Sequence, residues 1–380
     1  MVGGGEGAFI GAVHRIAARL DDRYELVAGA LSSDAGRARD SAAALHLAPE
    51  RSYADFAAMA QAEAARPDGI EAVAIVTPNH RHHAPAKVFL AHGIHVICEK
   101  PMTHRLEDAL DLQAAVRASG ALFAVAHTYT GYPLVRQARA MVAEGAIGEV
   151  RVVQVEYPQD WLTTPLESMG PDQGGQKQAE WRTDPDRSGA AGSVGDIGTH
   201  AFNLAEFVTG LSVHSLAAEL TSFVPGRRLD DNAHMLLRFG GGARGALWSS
   251  QVAVGHENAL RLRVYGAKGS LEWAQEQPNA LLFTPFGEPP RLIRRAGAGS
   301  SPVAAHASRI PSGHPEGYLE AFAQLYRDFA EQVAARAEGR AADSDSLVVP
   351  GIEAGVRGMQ FIAAAVASNG ADAAWVAIED

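Results

Sequence analysis

The chain has 380 residues, with 44 acidic and 33 basic side chains and a formal net charge of −11. This length favours two domains, and the negative charge argues against nucleic acid or an anionic membrane as partner. The single cysteine, Cys98, excludes an intramolecular disulfide and a cysteine-rich zinc site. We expect a cytoplasmic protein, because no stretch suits a bilayer span and the N-terminus lacks a signal-peptide pattern.

The first third of the chain alternates between helix-like and strand-like segments. A glycine-rich start leads into a helix that ends near Leu20. Valine- and isoleucine-rich or alternating patterns then predict strands over residues 24–30, 70–76, 94–98 and 122–126. Short strands separated by helices form a parallel, doubly wound sheet. We therefore predict an α/β domain over residues 1–126.

The pattern changes after residue 127. Longer strands are predicted over residues 149–157, 216–224, 234–239, 243–252 and 259–273, the last divided by a hairpin at Gly266-Ala267-Lys268-Gly269. A run of strands after βα units predicts a second, α+β domain over residues 127–380 with an open, mostly antiparallel sheet. Residues 163–193 are predicted to form a surface loop or lid. A second loop over residues 297–313 precedes a helix over residues 318–337.

The glycine-rich start is the first candidate for chemistry. Glycines permit positive φ and a close backbone approach, so this loop can cradle a pyrophosphate above a helix N-terminus. Gly5-x-Gly7 is followed by Gly11, which departs from the usual Gly-x-Gly-x-x-Gly spacing. A flexible N-terminal tail is the alternative, because only Met1 and Val2 precede the glycines.

The second candidate is Glu99-Lys100-Pro101, which follows the predicted strand over residues 94–98. Ligands of open α/β sheets bind beyond the carboxyl ends of the strands. Lys100 falls there and can take part in proton transfer beside a nicotinamide ring. The alternative is a surface lysine at the end of a strand.

The third candidate is the segment Asp196-Ile197-Gly198-Thr199-His200. In a helix that begins near Asp196, this carboxylate and His200 lie one turn apart on the same face. A carboxylate orients an imidazole and raises its basicity, as a hydride-transfer enzyme requires for taking the alcohol proton. The alternative is Asp196 as a helix N-cap and His200 as a core histidine.

A cluster of histidines at His80, His82 and His83 resembles a metal site. No carboxylate or thiolate stands at a coordinating spacing, so we predict solvated side chains and no metal.

Taken together, these motifs resemble the Gfo/Idh/MocA family, named for glucose-fructose oxidoreductase, inositol dehydrogenase and a rhizopine-catabolism protein. The matching segments are the glycine loop through His14, Thr77-Pro78-Asn79-x-x-His82, Ala91-His92-Gly93-Ile94-His95-Val96-x-x-Glu99-Lys100-Pro101, Trp181-Arg182 and Asp196-Ile197-Gly198-Thr199-His200. The resemblance covers essentially the whole chain. It implies a Rossmann domain, then an α/β domain whose open sheet forms a homodimer or homotetramer interface, and a C-terminal helix (about residues 351–368) that returns to the first domain.

The family's residue roles fall on matching positions of this chain. By resemblance, Lys100 lies beside the nicotinamide and the reacting carbinol, His200 is the acid/base, and Asp196 orients the pair. The implied cofactor residues are Gly5, Gly7, Phe9, Ile10, Ser32, Ser33, Arg37, Thr77, Pro78, Asn79, His82, Glu99 and Lys100. The implied substrate residues are Tyr129, Gln159, Asp160, Arg182, Asp196 and His200.

The cofactor is expected to be NAD, with NADP as the alternative. Relatives that prefer NAD usually carry an acid at the position of Ser32, and its absence leaves room for a 2′-phosphate near Arg37. Ser33, however, is not the arginine that many NADP-preferring members place there. The balance favours NAD slightly.

The substrate is expected to be a small sugar or polyol. The expanded glycine loop, Tyr129-x-Gly131-Tyr132-Pro133 and residues 176–182 resemble a branch of the family that oxidises sugars or glycosides. Oxidation of the 3-hydroxyl of a pyranose is the sharpest form of this hypothesis, and cyclitols such as inositols are close competitors. An NAD-dependent glycosidase on the same fold and a non-catalytic dinucleotide sensor are the alternatives from other classes.

Overall fold

The computed structural model describes residues 1–170, 172 and 174–378. The chain divides into two compact units. Unit 1 comprises Met1–Thr128 and Tyr318–Val356. Unit 2 comprises Tyr129–Gly317 and the described residues from Arg357 onwards.

The secondary structure mixes helices and strands along the whole chain. In chain order, the helices are α1 Phe9–Leu20, α2 Ala35–Ala44, α3 Phe56–Ala64, α4 His83–Ala91, α5 Leu106–Ser119, α6 Pro133–Ala143, α7 Lys177–Arg182, α8 Pro185–Ser188, α9 Thr199–Thr209, α10 Pro302–His306, α11 Tyr318–Glu338 and α12 Ile352–Gly370. The strands are β1 Val2–Gly3, β2 Ala72–Val76, β3 His95–Cys98, β4 Phe123–Val125, β5 Val150–Pro158, β6 Val213–Thr221, β7 Asn232–Phe239, β8 Arg244–Ser250, β9 Arg261–Gly266, β10 Gly269–Ala274, β11 Ala280–Pro285, β12 Arg291–Arg294 and β13 Val376–Ala377.

Unit 1 is built on a four-stranded sheet in the order β1-β2-β3-β4. All three strand pairs are parallel, which confirms the predicted α/β architecture. Residues 318–356 complete this unit, because Phe322 and Phe329 of α11 share a buried cluster with Val13 of α1 and Ile97 of β3. The carboxyl ends of β2 and β3, which precede Thr77 and Glu99, therefore lie next to each other along one edge of the sheet.

The strand predicted over residues 24–30 is wrong in extent. Only two isolated bridges form there, between Val2 and Ala30 and between Gly29 and Ser52. The amide of Ala30 donates to the Met1 carbonyl (2.9 Å) and its carbonyl accepts from Gly3 (2.9 Å). Because β1 spans only two residues, the ladder has no further partner residues to pair with.

Unit 2 is built on a nine-stranded sheet in the order β12-β11-β10-β9-β5-β8-β7-β6-β13. Its neighbouring strands are antiparallel except for the parallel pair β5–β8, which confirms the predicted open, mostly antiparallel sheet. The hairpin predicted at residues 266–269 joins β9 to β10. Along β7, buried and exposed residues alternate, so one face of the sheet is covered and the other is open.

Several elements of unit 2 were not predicted. Strands β11, β12 and β13 extend the sheet at its two ends. The loop predicted over residues 163–193 contains the short helices α7 and α8, and Pro171 and Gln173 within it lie outside the described residues. Helix α10 lies within the loop predicted over residues 297–313. Elements of two to six residues give too short a periodic pattern to be recognised.

Candidate active site

The glycine loop between β1 and α1 has the geometry of a dinucleotide-binding turn. Gly3, Gly4 and Gly7 have φ near +75°, a region that favours glycine. A Cβ on Gly11 would lie 2.4 Å from the Cα of Gly4, so only glycine lets the first turn of α1 approach the loop. A Cβ on Gly7 would meet nothing within 4 Å, which leaves this side of the loop open to a ligand.

The beginning of α1 is suited to an anion. Among the described residues no side chain caps this helix, and its first turn, with Phe9 and Ile10, holds no acidic residue. The first-turn amides of a helix have no partner within the helix and carry its positive dipole end. A pyrophosphate group supplies the acceptor that these amides require. Phe9 is exposed, whereas Gly5 packs against Leu31, to whose carbonyl its amide donates (3.2 Å).

The segment after residue 31 belongs to the beginning of α2. Ser32 Oγ accepts from the amide of Asp34 (3.1 Å), and Asp34 caps α2 by accepting from the amide of Arg37 (2.8 Å). The guanidinium of Arg37 is exposed and lies 4.0 Å from the same carboxylate. Ser33 is exposed as well. The carboxylate of Asp34 is therefore engaged as the cap of α2, with the guanidinium of Arg37 beside it.

His82 joins the two turns at the ends of β2 and β3. Its Nε2 lies 2.7 Å from the carbonyl oxygen of Thr77 and its Nδ1 lies 3.0 Å from that of Pro101. The ring is fully buried, so the predicted solvated side chain is wrong for His82. This burial lowers the pKa of His82 even though both carbonyls oppose the shift. His82 thus holds the turn that contains Pro78 and the buried Asn79, with its ring enclosed by protein.

Lys100 follows a buried acid and lies near a buried imidazole. Glu99 Oε2 accepts from the Lys100 amide (3.0 Å), and Glu99 Oε1 lies 2.8 Å from Nε2 of His14. Burial alone would raise the pKa of Glu99, but the hydrogen bond from His14 and the charge of Lys100 bring it below its usual range. His127, which our sequence analysis missed, is buried beyond β4, and burial together with the Lys100 charge lowers its pKa to about 3.

In unit 2, Asp196 and His200 lie on one continuous helical segment. A π-helix over Val194–Gly198 runs directly into α9. Asp196 is inside this segment, so the alternative interpretation of Asp196 as the N-cap is wrong. The capping group is Asp230, whose carboxylate accepts from the amides of Gly192 (2.6 Å) and Val194 (2.9 Å).

Two side chains hold the carboxylate of Asp196. Gln251 Nε2 donates to Asp196 Oδ2 (2.9 Å), and Arg182 Nε lies 3.4 Å from the same oxygen. The guanidinium of Arg182 also stacks on Trp181, 4.3 Å from the ring centre. The structure therefore places the Trp181-Arg182 pair against Asp196. Gln251 gave no signal in the sequence, because β8 brings it there from 55 residues away.

His200 is buried against a network of hydroxyl and amide groups. The ring of Tyr129 packs edge-on at 4.8 Å, and the Tyr129 hydroxyl is hydrogen-bonded to that of Tyr157. Tyr157 then donates to Asn258 Oδ1 (2.7 Å), which also accepts from Gln159 Nε2 (2.7 Å). Burial raises the pKa of Tyr129, which therefore keeps its proton.

Of the predicted substrate residues, Tyr129, Gln159 and His200 are brought together. Asp160 instead accepts from the amide of Gly255 (3.1 Å). Tyr157 and Asn258 were missed. Tyr157 stands two residues before Gln159 at the end of β5, and this spacing on one face of a strand is the signal that could have revealed it.

Two findings concern sites of other kinds. Within the described ranges, no group of three histidine, cysteine, aspartate or glutamate side chains is arranged to hold a metal ion. His83 is hydrogen-bonded to Asp111 (2.6 Å). In the part of the chain that the structure describes, no helix has the length and apolarity needed to cross a membrane.

Comparison with known proteins assigns both parts of the chain. Residues 1–127 match the model of an oxidoreductase family with an NAD-binding Rossmann fold, and residues 135–272 match that of the GFO/IDH/MocA C-terminal domain. The structure of an oxidoreductase from Sinorhizobium meliloti is 56% identical, covers 99% of this chain and 98% of its own, and has a TM-score of 0.89.

Two further relatives have a described ligand or activity. An inositol dehydrogenase homolog from Azotobacter vinelandii, complexed with NADH and myo-inositol, is 37% identical with a TM-score of 0.90 and covers 99% of this chain and 96% of its own. Levoglucosan dehydrogenase from Pseudarthrobacter phenanthrenivorans is 28% identical over 235 residues, which are 56% of this chain and 57% of that protein.

Proposed function

Since the chain belongs to the Gfo/Idh/MocA family and is an NAD-dependent dehydrogenase, we propose that it oxidises a secondary ring hydroxyl of a sugar, glycoside or cyclitol. The observation that carries this proposal is the cluster around His200. Tyr129, Tyr157, Gln159 and Asn258 form a connected group of donors and acceptors, and Tyr129 packs against the imidazole. A polyol presents adjacent hydroxyls that can exchange hydrogen bonds with such groups.

The proposed chemistry assigns one task to each residue. The carbinol carbon loses its hydride and its hydroxyl proton passes to His200, which yields a ketone. Asp196, held by Gln251 and Arg182, orients His200. Lys100 acts at the carbinol oxygen.

In the same proposal, the glycine loop and the turn with Thr77, Pro78 and Asn79 bind NAD. Bound NAD supplies the hydride acceptor. The open glycine face and the beginning of α1 fit its pyrophosphate. NADP is the alternative cofactor, because the exposed guanidinium of Arg37 can bind a 2′-phosphate.

Within this class, the 3-hydroxyl of a pyranose is our first candidate, and a cyclitol is the second. The similarity to levoglucosan dehydrogenase supports a sugar, and the similarity to the myo-inositol complex from Azotobacter vinelandii supports a cyclitol. A panel of inositols, aldoses and glycosides with NAD and NADP, followed by the absorbance of reduced nicotinamide, separates them. Release of an aglycone without accumulated NADH would indicate a glycosidase, and dinucleotide binding without turnover across the panel would indicate a sensor; either result would overturn the proposal.

Two variants test the residue roles. Lys100→Ala should still bind the dinucleotide and should lose turnover by orders of magnitude; near-normal turnover would remove Lys100 from the mechanism. His200→Asn should shift or abolish the pH dependence of turnover. An unchanged pH profile would exclude His200 as the acid/base.

We also propose that the open face of the unit 2 sheet is a contact between copies of this chain, as a dimer or tetramer. This face contains a groove of about 660 Å³, in which His234 stacks in parallel on Trp248 and in which Leu236 is 57% exposed. Exposed apolar and aromatic residues are typical of an interface. Leu236→Asp should lower the molar mass measured by light scattering; an unchanged mass would contradict this interface.

A further inference from the structure

A buried chain of three side chains runs from α11 to the segment that carries Lys100. Tyr326 of α11 contacts His14 of α1, with its hydroxyl 2.7 Å from Nδ1. The other ring nitrogen of His14 lies 2.8 Å from Glu99 Oε1. The second carboxylate oxygen of Glu99 accepts from the Lys100 amide (3.0 Å).

The protons in this chain can be assigned from the chemistry of its groups. The pKa of Glu99 lies below its usual range, so Glu99 is a carboxylate and only accepts. Nε2 of His14 must therefore donate to it. Burial raises the pKa of Tyr326, which keeps its proton and donates to Nδ1. A ring that donates from Nε2 and accepts at Nδ1 satisfies both contacts.

We propose that His14 and Tyr326 are positioning residues that hold Glu99, and through it the backbone of Lys100, in the orientation that the reaction needs. His14 is completely buried and packs edge-on against Phe322 at 5.0 Å, so its ring has one orientation. Glu99 uses both carboxylate oxygens, one for His14 and one for the Lys100 amide. Without the donor on His14, the Glu99 side chain can leave its rotamer, and the Lys100 amide then loses its acceptor. This inference rests on the proposed role of Lys100.

Two substitutions of His14 separate the two ring nitrogens. The amide of glutamine in His14→Gln can occupy the place of Nε2 and still donate to Glu99. The shorter asparagine in His14→Asn reaches only the place of Nδ1, which meets Tyr326 and leaves Glu99 without its donor. Both variants are polar and remove the ring, so a purely structural role would affect them alike.

The chain has four lysines, Lys87, Lys100, Lys177 and Lys268, which makes Lys100 directly observable. Reductive methylation with ¹³C-formaldehyde gives each lysine a resolved NMR signal and keeps its charge. The signal that disappears in Lys100→Ala is that of Lys100. Titration with NAD⁺ alone, followed on this signal, reports the environment of Lys100 and the affinity for the dinucleotide without any substrate.

We expect His14→Gln to leave the Lys100 signal in place and to change the NAD⁺ affinity by no more than about twofold. His14→Asn should move the Lys100 signal and weaken NAD⁺ binding by about tenfold, as the loss of one hydrogen bond to a carboxylate predicts. Tyr326→Phe should move the signal in the same direction. Tyr24→Phe is the matched control, because the Tyr24 ring packs edge-on against Tyr326 at 5.3 Å outside the chain of hydrogen bonds.

A His14→Asn protein whose Lys100 signal and NAD⁺ affinity match those of the wild type would overturn the positioning role. Equal effects of Tyr326→Phe and Tyr24→Phe would also overturn it, because they would assign the effect to packing alone. Dinucleotide binding without turnover across the substrate panel would refute the proposed function, and normal turnover in Lys100→Ala would remove Lys100 from the mechanism. Neither result changes the Lys100 signal that is measured in the His14 variants without substrate. Failure of the proposed function and failure of the positioning role of His14 and Tyr326 therefore give different results.

Discussion

Replacing Asp230 by alanine should strongly destabilise unit 2, because Asp230 fixes the beginning of the helical segment that carries Asp196 and His200. Its carboxylate accepts from the Gly192 amide (2.6 Å), the Val194 amide (2.9 Å) and the Ser193 hydroxyl (2.8 Å). The Asp230 carbonyl also accepts from the Ser193 amide (2.8 Å). All of these groups are buried.

The expected loss follows from these contacts. A hydrogen bond to a charged group contributes about 1.5–3 kcal/mol net, but burial raises the pKa of Asp230, which shows that desolvation offsets part of this gain. Asp230→Ala leaves three buried donors without their acceptor, and we expect a loss of about 3–5 kcal/mol in the free energy of unfolding. Asp230→Asn keeps one acceptor oxygen and should lose about 2 kcal/mol.

The five tryptophans of the chain all lie in unit 2, so urea unfolding followed by tryptophan fluorescence reports on this unit. Asp184 provides the matched control, because it caps α8 at a partly exposed position by accepting from the Asp186 amide (3.2 Å). Asp184→Ala should lose only about 1 kcal/mol. A loss below about 1 kcal/mol in Asp230→Ala would refute the anchoring role, given the size of a single buried unsatisfied group.

Two further predictions concern unit 1. Gly11→Ala places a Cβ 2.4 Å from the Cα of Gly4 and should weaken NAD⁺ binding more than tenfold. Gly358→Ala is the control, because its Cβ meets nothing within 4 Å and NAD⁺ binding should not change. Equal NAD⁺ affinities of the two variants, measured by calorimetry, would contradict this prediction. Burial and the Lys100 charge lower the pKa of His127 from 6.5 to about 3, so the unfolded chain binds a proton that the folded chain does not, and stability falls as the pH drops below about 6.5. Between about pH 7.5 and 5.5, protonation of His127 alone lowers the free energy of unfolding by about 1.4 kcal/mol. In His127→Gln, the loss of unit 1 stability over this pH range, measured by hydrogen exchange, should be smaller by this amount.

The sequence was most informative where a chemical pattern is local. The strand ends before Thr77 and Glu99 were predicted to within two residues, because a compact apolar run is followed by a proline turn. The parallel sheet of unit 1 and the antiparallel sheet of unit 2 followed from the order of such runs. The strand predicted over residues 24–30 failed, because an extended segment becomes a strand only when a partner strand is long enough to pair with it.

The parts of the site that the sequence did not reveal depend on contacts between distant residues. Gln251 reaches Asp196 across 55 residues, and Asn258 reaches Tyr157 across 101 residues. Asp230 caps a helix that begins more than 30 residues earlier. None of these partners has a pattern of its own, since an isolated amide or carboxylate is common on any surface. Only the strand register brings them to one place.

The division of unit 1 into Met1–Thr128 and Tyr318–Val356 has a consequence for synthesis on the ribosome. Val13 and Ile97 of the first segment lack their core partner Phe322 until about 190 further residues have been translated. At about 5–20 residues per second this takes roughly 10–40 s. During this interval, unit 2 can complete its own sheet while the nascent first segment still exposes apolar surface. The first segment is therefore the part of the newborn chain that a chaperone should protect.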